Sequence, residues 1–240
     1  VGLSRKITVL EGWSIKDIAS KLQTSFNIDK ESFYRASKSK KLLKKWGINS
    51  VSFEGYLFPD TYQLPEDVDA LGVIDRMVSE YSKNMTEAMR KRMTEIGLSE
   101  NEVLTLASII EGEAIYNSER PRISGVYHNR LKKRMRLQAD PTIQYIIKDA
   151  PRRLLNKDLK VKSPYNTYQN YGLPPGPINN PGIESIKAAL YPEQVDFLFF
   201  VAKGDGYHTF SKTEKEHNKA KREFQKIRRQ NKKSKKVTKT

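Results

Sequence analysis

The chain has no cysteine among its 240 residues. That excludes disulfide staples, thiolate zinc sites and cysteine nucleophiles, and it leaves the compartment open. Histidine is nearly as scarce: His128, His208 and His217 are the only three. None stands at HExxH or other zinc-ligand spacing, so no metal is expected. There is no glycine-rich phosphate loop, no dinucleotide fingerprint and no GxSxG elbow. Nucleotide cofactors and a serine triad are therefore not expected, and no other cofactor is implied. Long hydrophobic runs are missing too. The longest nearly apolar stretch, Asp196 to Ala202, is far too short to cross a bilayer. No signal peptide and no initiator Met precede Val1. The expectation is a soluble fragment of a longer protein, with any membrane anchor lying before it.

What the chain has in excess is positive charge, +16 formally. It is unevenly placed. From Lys219 to Thr240 there are eleven Lys or Arg and one Glu, a net +10, which leaves +6 for the preceding 218 residues. The stretch is polar and nearly free of large apolar residues after Ile227. It reads as a frayed helix end followed by a disordered tail over 221–240. Counterion release would let such a tail touch nucleic acid without sequence preference, so no specific nucleic-acid partner is expected. An anionic membrane or wall polymer would serve it equally.

The length suits one or two domains. Ile7, Val9 and Leu10 suggest a short strand. Ser14 stands where an N-cap belongs, with Asp17 three residues on, and Ile15, Ile18, Ala19 and Leu22 recur at the spacing of one helix face. A second helix is expected from Asp29 to about Leu43. These make a small first unit, residues 1–52. The segment from Phe53 to Tyr62 interleaves four aromatics with carboxylates. It reads either as packing that seals a domain junction or as a platform for a sugar. A long helix is expected over 68–96, stopped by Gly97, and another capped by Ser99 with Glu102. Further helices are expected after Ser118, after Asp140-Pro141 and over about 183–190. A hairpin turning at Gly204-Asp205-Gly206 precedes a last helix from Glu214 to about Ile227. This pattern predicts an α+β fold with an α/β-type catalytic domain rich in helices.

The most informative stretch is LASIIEGE, Leu106 to Glu113. Apolar and small residues end in two carboxylates. A carboxyl drawn out of water holds its proton toward neutral pH, and a helix C-terminus helps, which is the state a general acid needs. Glu111 and Glu113 are two residues apart, about 200° round a helix, so they cannot act as a close dyad. One should face a site and the other should pair with Arg120, Arg122 or Arg130. Periodicity does not choose between them. Asn129 is a candidate to orient a substrate hydroxyl. Gln138, Asp140, Thr142 and Gln144 cluster at a helix start and offer polar contacts. Asn166 and Tyr168 lie in a proline- and asparagine-rich loop of the kind that forms cleft walls.

LASIIEGEA, ERPRISGVYHNRL, MRLQADPTIQY, SPYNTYQNYGLPPGPINNPG and FLFFVAKGDGYHTFSKTEKEHNK together resemble the YceG-like endolytic murein transglycosylase family over about residues 53–220. The opening ITVLEGWSIKDIASKL resembles the family's small LysM-like subdomain. The resemblance implies cleavage of the bond between N-acetylmuramic acid and N-acetylglucosamine in peptidoglycan, leaving 1,6-anhydro-muramyl ends. It also implies an N-terminal membrane anchor, an extracytoplasmic catalytic domain and cell-wall synthases as partners. It assigns the catalytic role to Glu111. Glu113, Asn129, Gln138, Asp140, Thr142, Asn166, Tyr168, His208 and Asn218 are then secondary or sugar-binding candidates. Gly112 stands where relatives often have Lys, which would loosen the helix end. The alternative is a non-catalytic glycan-binding or scaffold protein of the wall machinery.

Overall fold

The computed structural model describes residues 3–237, with side chains described as far as Arg229. Strand β1 (Ser4–Thr8) leads through a turn at Glu11-Gly12 into α1 (Ile15–Phe26). Ser14 and Asp17 form the expected capping box, and Asn27 closes the helix in the left-handed region. The expected second helix is two, α2 (Lys30–Ala36) and α3 (Lys40–Lys45). The break falls where the Ser37 hydroxyl donates to the Tyr34 carbonyl and the Ser39 side chain caps α3. Such hydroxyls compete with the helical backbone for its hydrogen bonds.

Strand β2 (Thr61–Pro65) pairs antiparallel with β1, Ser4 opposite Pro65 and Thr8 opposite Thr61. The first unit therefore runs past the boundary expected at residue 52 and takes in the aromatic segment. Phe53, Tyr56, Leu57, Phe58 and Tyr62 are all buried in the common core. Packing, not a sugar platform, is what those aromatics do.

The long helix expected over 68–96 is also two, α4 (Ala70–Asn84) and α5 (Glu87–Ile96). Thr86 caps the second by accepting from the Met89 N–H. Gly97 ends it at φ 69°, a conformation glycine adopts without strain. Helix α6 (Glu100–Glu113) begins at the Ser99–Glu102 capping box. Every residue from Val103 to Ile110 is buried, so α6 is the axis of the fold. Each large side chain there contributes roughly 1.5–3 kcal/mol by leaving water. Its two buried hydroxyls are satisfied: Ser108 donates to the Thr105 carbonyl and accepts from the Ile178 N–H, and Thr105 donates to the Asn101 carbonyl.

Around α6 stand α7 (Arg120–Lys132), α8 (Asp140–Ile146) and α9 (Ile183–Leu190). Ser118 does not cap α7, whose N-cap position is Glu119, with Pro121 in the first turn and no side-chain cap. Proline supplies the fixed φ of a first turn and lacks the N–H that would need a cap. Strands β3 (Phe199–Ala202) and β4 (His208–Ser211) form the expected hairpin. The described strands make only two antiparallel pairs. The fold is α+β and helix-rich, as expected. It has no parallel sheet among the described residues, so the α/β-type layering is corrected: α6, apolar on all sides, does the work of a central sheet. Helix α10 (Glu214–Val237) continues ten residues beyond its expected end near Ile227. Lys, Arg and Gln are good helix formers, and neither Gly nor Pro interrupts them. The rest of the expected tail, 238–240, lies outside the described residues.

Candidate active site

A cleft of about 1240 Å³ runs between the first unit and the helices around α6. One wall carries the start of α1, Ser37-Lys38 and Glu54; the other carries Gly112, Glu113, Asp140, Pro141 and Gln144. The walls are tied together behind the cleft by one side chain. The Asn180 amide donates to the Trp13 carbonyl and the Glu54 carboxyl, and its oxygen accepts from the Gly55 and Leu57 N–H groups.

The two carboxylates of α6 part company, as their angular separation requires. Glu111 lies against Gly12 of the cleft lining, where a Cβ would stand 3.4 Å from its Cγ. It pairs with Arg120 at 3.0 Å and accepts from the Ser185 hydroxyl at 2.7 Å and the Gly182 N–H at 3.0 Å. Both side chains of the pair are less than a tenth exposed. All three contacts use Glu111 as an acceptor, and they join α6, α7 and α9. Glu113 is the carboxylate on the cleft wall. Among the described residues its one hydrogen bond comes from the Tyr127 hydroxyl at 2.8 Å. Burial pushes Glu113 up to about 7; the Tyr127 hydrogen bond opposes this, the Asp140 charge adds to it, and Arg130 opposes it. The expectation that one glutamate faces a site while the other pairs with an arginine is met. Of the two, Glu111 has its oxygens committed to three donors, and Glu113 lines the cleft.

Asp140 lines the same wall and accepts from the Tyr168 hydroxyl, so Glu113, Asp140 and Tyr168 form one group. Burial and the Asp140 contact raise the Tyr168 hydroxyl above its ordinary range. Gln138 stands two residues before Asp140 at φ 51°, exposed, its N–H donating to the Thr167 carbonyl. Gly112 is what lets this group close up. A Cβ there would sit 2.6 Å from Pro141 Cβ, so the proline ring occupies the space a side chain would take. Gly112 thus brings α8 against the end of α6 and does not loosen it.

None of the remaining candidates is among the residues that line this cleft. Asn129 donates to the carbonyls of Val195 and Phe197, which holds the segment before β3 on α7. Thr142 is fully buried between the Ala139 carbonyl and Thr167. Asn166 spans the Leu159 and Val161 carbonyls and the Tyr168 N–H. His208 contacts Glu119 through its ring and its N–H and packs on Phe200 in the hairpin. Asn218 is exposed on α10, away from the cleft. Buried amides and hydroxyls of this kind satisfy loop backbone that has no ladder to join.

Two groups escaped the sequence reading. Tyr127 holds Glu113 from one turn within α7. Glu54, buried on the facing wall, accepts from the Ile15 N–H at 3.0 Å and from Asn180 at 3.0 Å. Burial pushes Glu54 up to about 8; the Ile15 N–H opposes this, and the Asp17 charge adds to it. A lone carboxylate inside an aromatic run is the same signal that singled out LASIIEGE, and it marks Glu54.

Comparison with known proteins agrees with this architecture. The model of the YceG-like family matches residues 2–223. An endolytic murein transglycosylase of Bacillus subtilis (strain 168) is 40% identical over 239 residues, covering 93% of this chain and 66% of the relative. One of Streptococcus pneumoniae serotype 2 is 35% identical over 154 residues, covering 62% of this chain and 28% of the relative. The crystal structure of a yceG-like protein from Listeria monocytogenes superposes with a TM-score of 0.82 at 38% identity, covering 89% of this chain and 74% of that one. The chain thus spans just under two thirds of the first curated relative and less than a third of the second.

Proposed function

The chain belongs to the YceG-like family, and from that premise we propose that it is a lytic transglycosylase that cuts peptidoglycan strands internally, with Glu113 as its acid. The observation that carries this reading is a buried carboxyl on the wall of an open cleft, with desolvation raising its affinity for a proton.

Glu113 gives its proton to the glycosidic oxygen as the C1–O4 bond between N-acetylmuramic acid and N-acetylglucosamine breaks. The C6 hydroxyl oxygen of the muramyl residue attacks C1, and its proton passes to the Glu113 carboxylate. One 1,6-anhydro end and one free O4 hydroxyl result, and the acid is restored. No water is consumed, so the second carboxylate that an inverting hydrolase sets about 6.5–9.5 Å away has no task here. An acid near 7 is matched to neutral working conditions. Asp140, fixed by Tyr168, adds negative charge beside Glu113 and strengthens its hold on the proton. Glu111 is a positioning residue, tying the end of α6 to α7 and α9.

The first unit, in which the paired strands β1 and β2 enclose α1, α2 and α3, supports a LysM-like reading of the wall it gives the cleft. None of the described helices is long and apolar enough to cross a membrane. In this reading an anchor preceding Val1 holds the domain on the extracytoplasmic face beside cell-wall synthases.

Mass spectrometry of peptidoglycan digests tests the proposal. Wild type should release anhydro-muramyl ends, and Glu113→Gln should release none while keeping its circular dichroism spectrum. Strands bound without any product would favour the scaffold alternative. Full activity in Glu113→Gln would remove the acid from the scheme.

A further inference from the structure

The cleft holds three cations that the chemistry above does not use. Lys16, Lys38 and Lys162 line it, the first two from the first unit and the third from the loop on the opposite side. All three are exposed, and among the described residues none has an ion-pair or hydrogen-bond partner for its ammonium group. Lysines 45, 83, 187 and 212, by contrast, each sit on a carboxylate. Among the described residues no acidic group of the cleft lies within ion-pair distance of the three, and each such group has another partner. Asp17 is occupied by the N–H and hydroxyl of Ser14, Asp140 by Tyr168, Glu54 by Ile15 and Asn180, and Glu113 by Tyr127.

The position of Lys16 is informative in itself. It lies in the first turn of α1, where the positive end of the helix dipole disfavours a cation. Helix stability does not account for it, whereas attraction of an anion into the cleft does. The glycan backbone is uncharged and gives these ammonium groups nothing to bind. The anions of peptidoglycan are the carboxylates of the peptide stems borne on the lactyl groups of muramyl residues. At about 1240 Å³ the cleft exceeds the roughly 300–1,000 Å³ of a small-ligand pocket, leaving room for a branch beside the strand. Lysine, a point charge on a flexible stem, suits carboxylates on a mobile peptide better than a rigid bidentate site would.

We propose that Lys16, Lys38 and Lys162 form an anion subsite that binds stem-peptide carboxylates, so that the cleft distinguishes peptide-bearing from peptide-free glycan. This rests on the glycan-cleaving function proposed above and adds a substrate preference to it.

The test compares wild type with the triple variant Lys16→Gln, Lys38→Gln, Lys162→Gln on three substrates: peptide-bearing strands, strands stripped of stems by an amidase with the lactyl carboxylates so freed then amidated, and strands whose stem carboxylates are chemically amidated. The triple variant should raise KM for peptide-bearing strands about tenfold, roughly twofold per exposed cation. Its kcat on those strands, and both constants on the other two substrates, should stay near wild type. A triple Lys→Arg variant should restore the preference, and salt should weaken it in wild type. Binding of the same strands in a Glu113→Gln background, measured by calorimetry, gives the preference without turnover. Equal binding of peptide-bearing and stripped strands by wild-type and Gln-substituted clefts would overturn the subsite and leave the cleavage reaction standing. Absence of anhydro products from every substrate, with the binding preference intact, would overturn the reaction and leave the subsite standing.

Discussion

Replacing Tyr127 with phenylalanine removes one oxygen, and with it the single hydrogen bond that the Glu113 carboxyl accepts among the described residues. Phenylalanine keeps the ring that packs edge-on against Phe200 at 5.7 Å between centroids, so the core around it survives. The hydroxyl favours the ionised form of Glu113 and so works against burial. A hydrogen bond to a charged group is worth roughly 1.5–3 kcal/mol and one to a neutral group about 1 kcal/mol, a difference near 1.4 kcal/mol, or about one pH unit. Without it Glu113, now at about 7, should hold its proton to about 8. The acid must be protonated to act, so wild-type kcat/KM should be level below about pH 7 and fall tenfold per unit above it. In Tyr127→Phe the falling limb should move up by about one unit. The ratio of variant to wild-type rate should therefore rise between pH 6 and 9 even though the weaker acid is slower at pH 6. Initial rates of anhydro-muramyl release across that range measure both curves. A limb that stays in place, or moves down, would refute Glu113 as the titrating acid.

Glu111→Ala should cost about 3–5 kcal/mol of stability in urea unfolding, because it strands Arg120 in a buried site, while the folded enzyme keeps its acid. A loss of activity without loss of stability would return the chemistry to Glu111. Glu54 gives a pH signature of its own. Its carboxyl titrates near 4.5 ordinarily and at about 8 in the fold. Between those values the native state holds a proton that the unfolded chain has released, so stability falls as pH rises, by up to about 1.4 kcal/mol per pH unit. Urea midpoints should therefore drop from pH 5 to 8 in wild type and drop much less in Glu54→Gln, with Glu113 supplying a residual slope below about 7; identical slopes would refute this. Gly112→Ala places a methyl 2.6 Å from Pro141. Helix propensity gains about 1 kcal/mol and overpacking loses about 1–3, so stability should fall by up to about 2 kcal/mol. The displaced Pro141 should carry Asp140 with it and lower kcat/KM several-fold, and an unchanged rate would show that this contact does not set the site.

Local chemistry made much of the fold readable. The capping boxes at Ser14 and Ser99 and the stop at Gly97 stand where hydrogen-bonding side chains and a left-handed residue must stand. The two missed helix breaks were marked by the same kind of residue, Ser39 and Thr86, each capping a new helix. Continuous apolar periodicity hid them, because periodicity follows the buried face and is blind to a cap. The polar candidates are ambiguous in sequence for a related reason. Asn129, Thr142 and Asn166 have the donors and acceptors that a sugar needs, and these are the same donors and acceptors that irregular backbone needs. Only the carbonyls placed beside them decide which use is made.

The sequence by itself determined that two carboxylates close an apolar helix and that they point to opposite sides of it, since 3.6 residues per turn allows nothing else. What surrounds each of them is set by the tertiary structure. Arg120 from α7 and Ser185 from α9 converge on Glu111 and use up its oxygens, while the first unit stands off from Glu113 and leaves a cleft in front of it. Those neighbours come from positions 9 and 74 residues further along the chain, beyond the reach of any local pattern. A carboxyl's readiness to keep its proton depends on the water and charge around it, and that environment exists only once the chain has folded.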